Sequence, residues 1–383
     1  MASTSYIHVG SEALANNVQF LKGLLGARTR ISAVVKGNAY GHGVAVVIPA
    51  LEEAGIDHFS VYSSHEAREA HRYLSAGSTL MIMGFIDPSD LEWIMDNQVE
   101  FYVSGPAMLE ETINRASRLQ KKAIIHLELE TGMYRTGFTL ADLKKAVPLL
   151  CSSKELVLRG ITSHFAGAES IANYTRVRKQ FTLFSRLVRS LKQQGVTAEI
   201  KHIASSAAAI NYPETRLDLV RSGILIYGYW PTRETFMNYA QRNKQRHDPL
   251  KRALSWHSRV MHIKEVPEGE FIGYGLSYQS QYPMKIAVVP VGYCNGYSRS
   301  LSNNGHVIIR EMRASVIGLV NMNMIICDIT EIPGVHPGDE VTLIGRQGAS
   351  VISFSSFAEM NNSLNYEILA RLPENISRQL TQF

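Results

Sequence analysis

Short apolar runs rich in β-branched residues alternate with longer stretches of helical spacing through the first part of the chain. The apolar runs cover residues 31–35, 58–62, 79–83, 100–103, 123–129, 156–163, 198–203 and 219–227. Between them a 3.6-residue period returns at 44–53, 65–74, 89–95, 106–119, 140–150 and 172–194. Eight strands alternating with helices predict parallel strand–helix units. Their number and total length suit a (β/α)8 TIM barrel better than a doubly wound sheet of about five to seven strands. After Trp230 the texture changes. Residues 233–252 are polar and carry Arg242, Lys244, Arg246, Lys251 and Arg252, which predicts a linker with a solvated helix or loop. Beyond it, runs with period-two character at 258–266, 285–291, 306–310, 316–319, 324–329 and 340–343 are punctuated by Gly and Pro. They predict a mainly β-strand second domain, with a helix near the end at 355–362. The fold class is therefore α/β plus β. The barrel is expected over residues 10–235 and the β domain over 250–383, with residues 1–9 as a possible part of the latter.

Length agrees with two domains, since 383 residues exceed what one core of about 250–300 residues serves. With 45% hydrophobic and 19% charged residues the chain is too apolar to be disordered. Its three cysteines, Cys151, Cys294 and Cys327, stand singly, so neither a disulfide framework nor a cysteine-based zinc site is expected, and no metal is assigned. No run approaches the roughly 18 apolar residues of a membrane span, and the N-terminus lacks a basic segment followed by an apolar one. A cytoplasmic protein without a membrane partner is the expectation. The net charge of +5 points to anions in general. No clustering of basic and aromatic residues suggests a nucleic-acid partner.

Chemistry in such a barrel sits at the carboxyl ends of the strands, so the polar residues ending each apolar run are the candidates. They are Lys36 after the first run, Glu128, Glu130 and Arg135 after the fifth, and His164 after the sixth. His202, Ser205 and Ser206 follow the seventh, and Arg221 stands at the eighth, just ahead of Gly223. All fall on one rim. A lysine ending a buried strand loses water around its ammonium, and the depressed pKa that results is what a Schiff-base lysine needs. Gly37, Gly41 and Gly43 permit close approach of backbone, and Tyr40 could reach a phosphate oxygen. Each residue taken singly also has an ordinary reading. Lys36 could snorkel, His164 and His202 could be core histidines, Arg221 could form a strand-end ion pair, and Ser205 or Ser206 could cap a helix.

The run Val34 to Gly43, Val-Val-Lys-Gly-Asn-Ala-Tyr-Gly-His-Gly, resembles the cofactor-lysine motif of the bacterial alanine racemase family. Ile272-Gly273-Tyr274-Gly275 is similar to that family's second-base segment. Val291-Gly292-Tyr293 through Gly296-Tyr297 and Arg299 resembles its glycine-tyrosine segment, and Tyr366-Glu367-Ile368-Leu369 its terminal motif. The resemblance runs over essentially the whole chain. It implies a fold type III pyridoxal 5'-phosphate enzyme, a barrel followed by a β domain. Lys36 would hold the cofactor covalently, while Tyr40, Ser206, Gly223, Ile224 and Tyr366 would bind its phosphate. His164 would lie along the pyridine ring, and Arg221, oriented by His202, would face the ring nitrogen. Arg135 and the backbone around Met322 would hold the substrate carboxylate, with Tyr293 and Tyr366 narrowing the entrance. Racemisation takes a proton from one face and returns one to the other, which two groups serve most directly. The resemblance gives these roles to Lys36, for the D-enantiomer, and Tyr274, for the L-enantiomer. Tyr274 would reach the barrel of a second subunit in a homodimer. Taken alone, it could equally be a strand tyrosine packed at a subunit contact beside glycine bulges.

The implied activity is interconversion of L-alanine and D-alanine, a source of D-alanine. Several matched positions depart from the family pattern. Glu128 stands where the family has a carbamylated lysine that orients the carboxylate-binding arginine, and a Glu128–Arg135 ion pair is expected in its place. Glu130 replaces an aspartate, Ser205 an asparagine, Leu319 an arginine and Asn323 an aspartate. These changes fall on the substrate side more than on the cofactor side and leave room for a broader or different amino-acid racemase. A non-catalytic pyridoxal phosphate-binding homologue is the other alternative, although the β domain with Tyr274 is superfluous to a carrier. A decarboxylase of the same fold type generally pairs the ring nitrogen with an acid and uses a second-domain cysteine, where this chain has Arg221 and Tyr274.

Overall fold

The computed structural model describes residues 4–354, 357 and 365–383. The chain divides into two compact units. One comprises Ala13–Gly37 and Ile48–Lys251, the other the N-terminal residues through Glu12, Asn38–Val47 and the chain from Arg252 onward.

The first strand, β1 (Ser5–Gly10), belongs to the second unit. The first unit holds the eight expected strands: β2 (Arg30–Val34), β3 (His58–Val61), β4 (Thr79–Ile82), β5 (Glu100–Val103), β6 (Ala123–Glu128), β7 (Leu156–Thr162), β8 (Ile200–His202) and β9 (Leu219–Ser222). They pair in parallel in the order β8-β7-β6-β5-β4-β3-β2-β9. Between β9 and β8 the ring closes through a parallel bridge of Ser205 to Arg221, in which Arg221 N donates to Ala204 O at 3.1 Å. Both faces of these strands are covered, which is why they read as continuous apolar runs rather than alternating ones. The helices that follow them present one apolar stripe each. In Tyr174–Gln193 that stripe is Val177, Phe184, Leu187 and Leu191, at helical spacing, with the buried polar Gln180 among them. Each large apolar side chain so buried contributes about 2 kcal/mol. The last apolar run is shorter as a strand than its sequence suggests. After Ser222 the chain turns, with Ile226 N donating to Gly223 O at 2.9 Å and Gly228 N to Leu225 O at 3.0 Å. The buried residues Ile224–Tyr227 line that turn.

The second unit is built on β1, β10 (Leu254–Arg259), β11 (His262–Val266), β12 (Met284–Val289), β13 (His306–Ile309), β14 (Met312–Ile317), β15 (Ile325–Asp328), β16 (Glu340–Gln347), β17 (Ser350–Ile352) and β18 (Ser377–Thr381). The sheet runs β11-β12-β15-β14-β13-β16-β10-β1-β18, with β17 beside β16. The single run expected at 258–266 is two strands. Val260 N donates to Asp339 O and Met261 N to Val288 O, so the chain changes partners between them. β1 pairs antiparallel with β10 and parallel with β18. Apart from Phe357, the helix expected at 355–362 lies outside the described residues. Among the described residues no helix is long and apolar enough to cross a membrane.

Candidate active site

Lys36 directly follows β2, whose end is fixed from two sides. Val35 N donates to Ser60 O on β3 at 2.8 Å, and the buried Tyr227 hydroxyl donates to Val34 O at 2.9 Å. The Glu66 carboxylate accepts from Gly37 N and Tyr62 N, both at 2.7 Å, and so clasps the chain at Lys36. Lys36 as a residue is exposed, yet its amine is crowded by neighbouring groups. Loss of hydration is the main cause that lowers its amine below the ordinary lysine value. Glu66 opposes the shift, and the Arg135 and Arg221 charges add to it.

Arg221, on β9, is buried among polar partners. Its Nη1 donates to His202 Nδ1 at 2.5 Å and to Thr162 Oγ1 at 3.1 Å, and its Nη2 to Ser163 O at 2.9 Å, with His164 Nδ1 at 3.3 Å. Arg221 and His202 are thus joined as expected. His164 follows β7, and its carbonyl accepts from the buried Gln180 amide at 3.0 Å, while Gln180 Oε1 accepts from Ala166 N at 2.9 Å. Burial first, then the Arg221, Arg135 and Lys36 charges, push His164 down to about 3. His202 is driven well below its ordinary value by burial and the Arg221 charge. Both imidazoles are therefore neutral at neutral pH. The Ser206 hydroxyl accepts from Gly223 N at 3.0 Å, which joins the start of the helix Ser206–Asn211 to the Gly223–Ile224 turn.

The segment after β6 is shaped by Glu130, whose carboxylate accepts from the backbone N–H groups of Gly132, Met133 and Tyr134. That turn carries Arg135 outward into water. Glu128 stays buried at the strand end, and among the described residues the expected Glu128–Arg135 ion pair is not formed, although both side chains line one small pocket. Burial raises the Glu128 carboxyl, against which the Thr136 hydroxyl and the Arg135 charge act.

In the second unit Tyr40 and Tyr366 come together, with ring centroids 6.1 Å apart. Residues Gly37 to Gly41 all have positive φ, so the turn Lys36–Tyr40 is left-handed. Asn38 Oδ1 accepts from Val44 N at 2.9 Å, and the Arg378 guanidinium donates to Gly41 O. Tyr274 stands between Gly273 (φ +78°) and Gly275 (φ +73°) at the tip of a loop closed by Ile272 N donating to Tyr278 O at 2.9 Å. Ile272 and Tyr278 pack with Met284, Ile286 and Ile317, which anchors the loop and leaves Tyr274 70% exposed. Tyr293 N donates to Asn321 O and Cys294 N to Met322 O, both at 3.0 Å, so Tyr293 and Met322 are held side by side. The Arg299 guanidinium lies 5.9 Å from the Tyr293 ring centroid.

The sequence reading missed Glu66, Arg378 and a buried pair, Glu100 and His126. Glu66 carries a signal, since Ser63-x-x-Glu66 has the form of a capping box, and Ser63 Oγ does accept from Glu66 N. The other three carry none beyond a polar residue inside or beside an apolar run. Chemically, this end of the barrel carries the Lys36 amine, the Arg221 guanidinium and Arg135 together with the carboxylates Glu66, Glu128 and Glu130. Among the described residues neither Lys36 nor Arg221 has a carboxylate within ion-pair distance, although Arg221 is buried and a buried charge normally requires a partner. A primary amine of lowered pKa, a fixed guanidinium and the Ser206 and Gly223 donors fit a pyridine aldehyde bearing a phosphate.

Comparison with known proteins identifies the family. A family model described as the alanine racemase N-terminal domain matches residues 9–231, and one described as the alanine racemase C-terminal domain matches residues 253–380. Alanine racemase 1 of Caldanaerobacter subterraneus subsp. tengcongensis is 33% identical over 374 residues, covering 97% of this chain and 93% of its own. The alanine racemase of Leptospira interrogans serovar Lai is 33% identical over 379 residues, covering 98% and 95%. Among solved structures, alanine racemase from Bacillus anthracis with bound L-Ala-P superposes with a TM-score of 0.89 at 30% identity, covering 100% of this chain and 96% of that one. Alanine racemase from Bartonella henselae with covalently bound pyridoxal phosphate does so with a TM-score of 0.83 at 25% identity, covering 99% and 100%. Matched in both halves and over nearly its full length, the chain belongs to the alanine racemase family.

Proposed function

We propose that this chain interconverts L-alanine and D-alanine with pyridoxal 5'-phosphate as cofactor, in the cytoplasm and as a homodimer, and that Lys36 and Tyr274 are its two proton-transfer groups. The observation that carries the reading is the set of cations without carboxylate partners, Lys36 and Arg221, at the strand ends of a chain of this family. The bound cofactor supplies an electron sink that acidifies the α-proton of an attached amino acid.

Lys36 holds the cofactor through Nζ, and its lowered pKa makes the free amine available to take or return a proton on one face. Tyr274 Oη serves the other face, contributed by the second subunit. Arg221, held by His202 and the Ser163 carbonyl, would face the pyridine nitrogen. A guanidinium does not surrender its proton, so that nitrogen would stay largely unprotonated and the sink weak, which would favour return of the proton over loss of the amino group. Ser206 with the Gly223–Ile224 backbone would bind the phosphate, and His164 would lie beside the ring. Arg135 and the Met322 backbone take the substrate carboxylate, with Tyr293 at the entrance.

Purified, cofactor-loaded protein tested by polarimetry against a panel of single amino-acid enantiomers is expected to bring alanine from either side to an equal mixture. Cofactor absorbance without racemisation of any amino acid would replace this reading with that of a binding protein. Preference for another side chain would move the substrate.

A further inference from the structure

We propose that Glu100 and His126 are positioning residues. With His202 they form a one-way hydrogen-bond chain that starts at the Arg221 guanidinium and ends at the Glu100 carboxylate, and that sets how strongly Arg221 donates to a pyridine nitrogen. This rests on the reading that Arg221 faces that nitrogen.

The direction of every link follows from its ends. Arg221 Nη1 lies 2.5 Å from His202 Nδ1, His202 Nε2 lies 2.9 Å from His126 Nδ1, and His126 Nε2 lies 2.8 Å from Glu100 Oε2. A guanidinium only donates, so His202 Nδ1 accepts and its single proton is on Nε2. That proton is donated to His126 Nδ1, which leaves the His126 proton on Nε2, facing Glu100. A carboxylate only accepts, and the chain ends there. Were His126 doubly protonated, both nitrogens of His202 would have to accept, which a neutral imidazole cannot do.

The four residues lie on β5, β6, β8 and β9, and the three inner groups are buried. Two separate features of the backbone make room for the His126 ring. The β6–β7 register shifts between Ile125 and His126, and on β7 Gly160 lies so close that any Cβ there would overlap His126 Nδ1. The terminal anion is held from several sides. Arg159 Nε is 3.3 Å from Glu100 Oε1, and His58 Nε2 is 3.5 Å from Oε2 while His58 Nδ1 meets Ser32 Oγ at 2.9 Å. Burial alone would raise the Glu100 carboxyl, but the hydrogen bond that His126 donates, with His58 beside it, outweighs burial and keeps it ionised.

In a dry interior such a chain polarises along its length. The Glu100 charge makes His126 and then His202 better acceptors, which draws the Arg221 N–H toward His202 and weakens what Arg221 offers a ring nitrogen. Without that charge the guanidinium donates more strongly to the cofactor, the sink deepens, and loss of the amino group competes with racemisation.

The test uses 15N-histidine NMR of the cofactor-free protein together with assays of the holoenzyme. In the wild type His126 and His202 should each carry one proton, on Nε2. Glu100→Gln removes the charge, and His126→Phe keeps a ring but removes both nitrogens. Each should lower kcat for racemisation about tenfold, leave KM for alanine within about twofold, and raise keto acid released per racemisation about tenfold. A His202 proton on Nδ1, or on both nitrogens, overturns the chain. So do folded variants of either kind whose keto-acid ratio stays at the wild-type value. Absence of racemisation in the wild type would instead overturn the functional reading, while the NMR result still decides the chain.

Discussion

Gly41 has a φ of +76°, and a Cβ there would overlap the Leu369 carbonyl oxygen. Backbone strain and close approach thus coincide at one residue, and Gly41→Ala should destabilise the protein by at least about 2 kcal/mol, read from urea or thermal unfolding of the holoenzyme. An unchanged midpoint would mean that the turn after Lys36 is not held as described. The glycines of this segment are visible in the sequence, and so is the lysine before them. What the sequence conceals is that Asn38, Ala39 and Tyr40 join the left-handed turn. Only asparagine among them tolerates that region readily, and the hydrogen bonds of Asn38 Oδ1 and Arg378 that hold the turn come from residues distant in sequence or unremarkable in type. Glu128 is another case. Its identity suggested an ion pair with Arg135, but the two side chains line one small pocket without reaching ion-pair distance, the glutamate buried and the arginine exposed.

The elements of the barrel were legible because parallel strands covered on both faces are written as apolar runs bounded by helical periods. β18 was not, since Ser-Arg-Gln-Leu-Thr is largely exposed and owes its conformation to pairing with β1. His126 was hidden for the opposite reason: it interrupts Ala-Ile-Ile-His-Leu-Glu, and only the structure shows that the ring faces Glu100 and His202. Histidines buried in or beside these elements predict a pH dependence. Burial is the first cause for each, lowering His42 to about 4 and His164 to about 3, and lowering His58 and His202 as well. Their folded pKa values lie below the unfolded value of about 6.5, so their contribution to stability is fully present above that pH and is lost as pH falls toward the folded values. Glu128, whose carboxyl is raised, has the opposite sign and weakens the fold as pH rises through its folded value. The melting temperature of cofactor-free protein should therefore fall steadily between about pH 6.5 and pH 4. A flat profile over that range would show that the histidines are solvated.

At the scale of the whole molecule, the second unit exposes Phe271, Tyr274, Leu276, Met322 and Met324, a large apolar set for a surface facing water. A homodimer in which this surface supplies Tyr274 to the other subunit accounts for it. Mixing equal amounts of Lys36→Ala and Tyr274→Phe subunits, each nearly inactive alone, should then restore about a quarter of wild-type activity, because half the dimers are mixed and each mixed dimer has one intact site. No recovery after subunit exchange would place both groups in one chain. The central claim, that Lys36 and Tyr274 work on opposite faces, is tested most directly by α-hydrogen exchange into deuterated water, followed separately for L-alanine and D-alanine with Tyr274→Phe holoenzyme. The account predicts that D-alanine still exchanges its α-hydrogen while L-alanine does not, and that net racemisation falls by about a hundredfold or more. Exchange of both enantiomers at wild-type rates would contradict it.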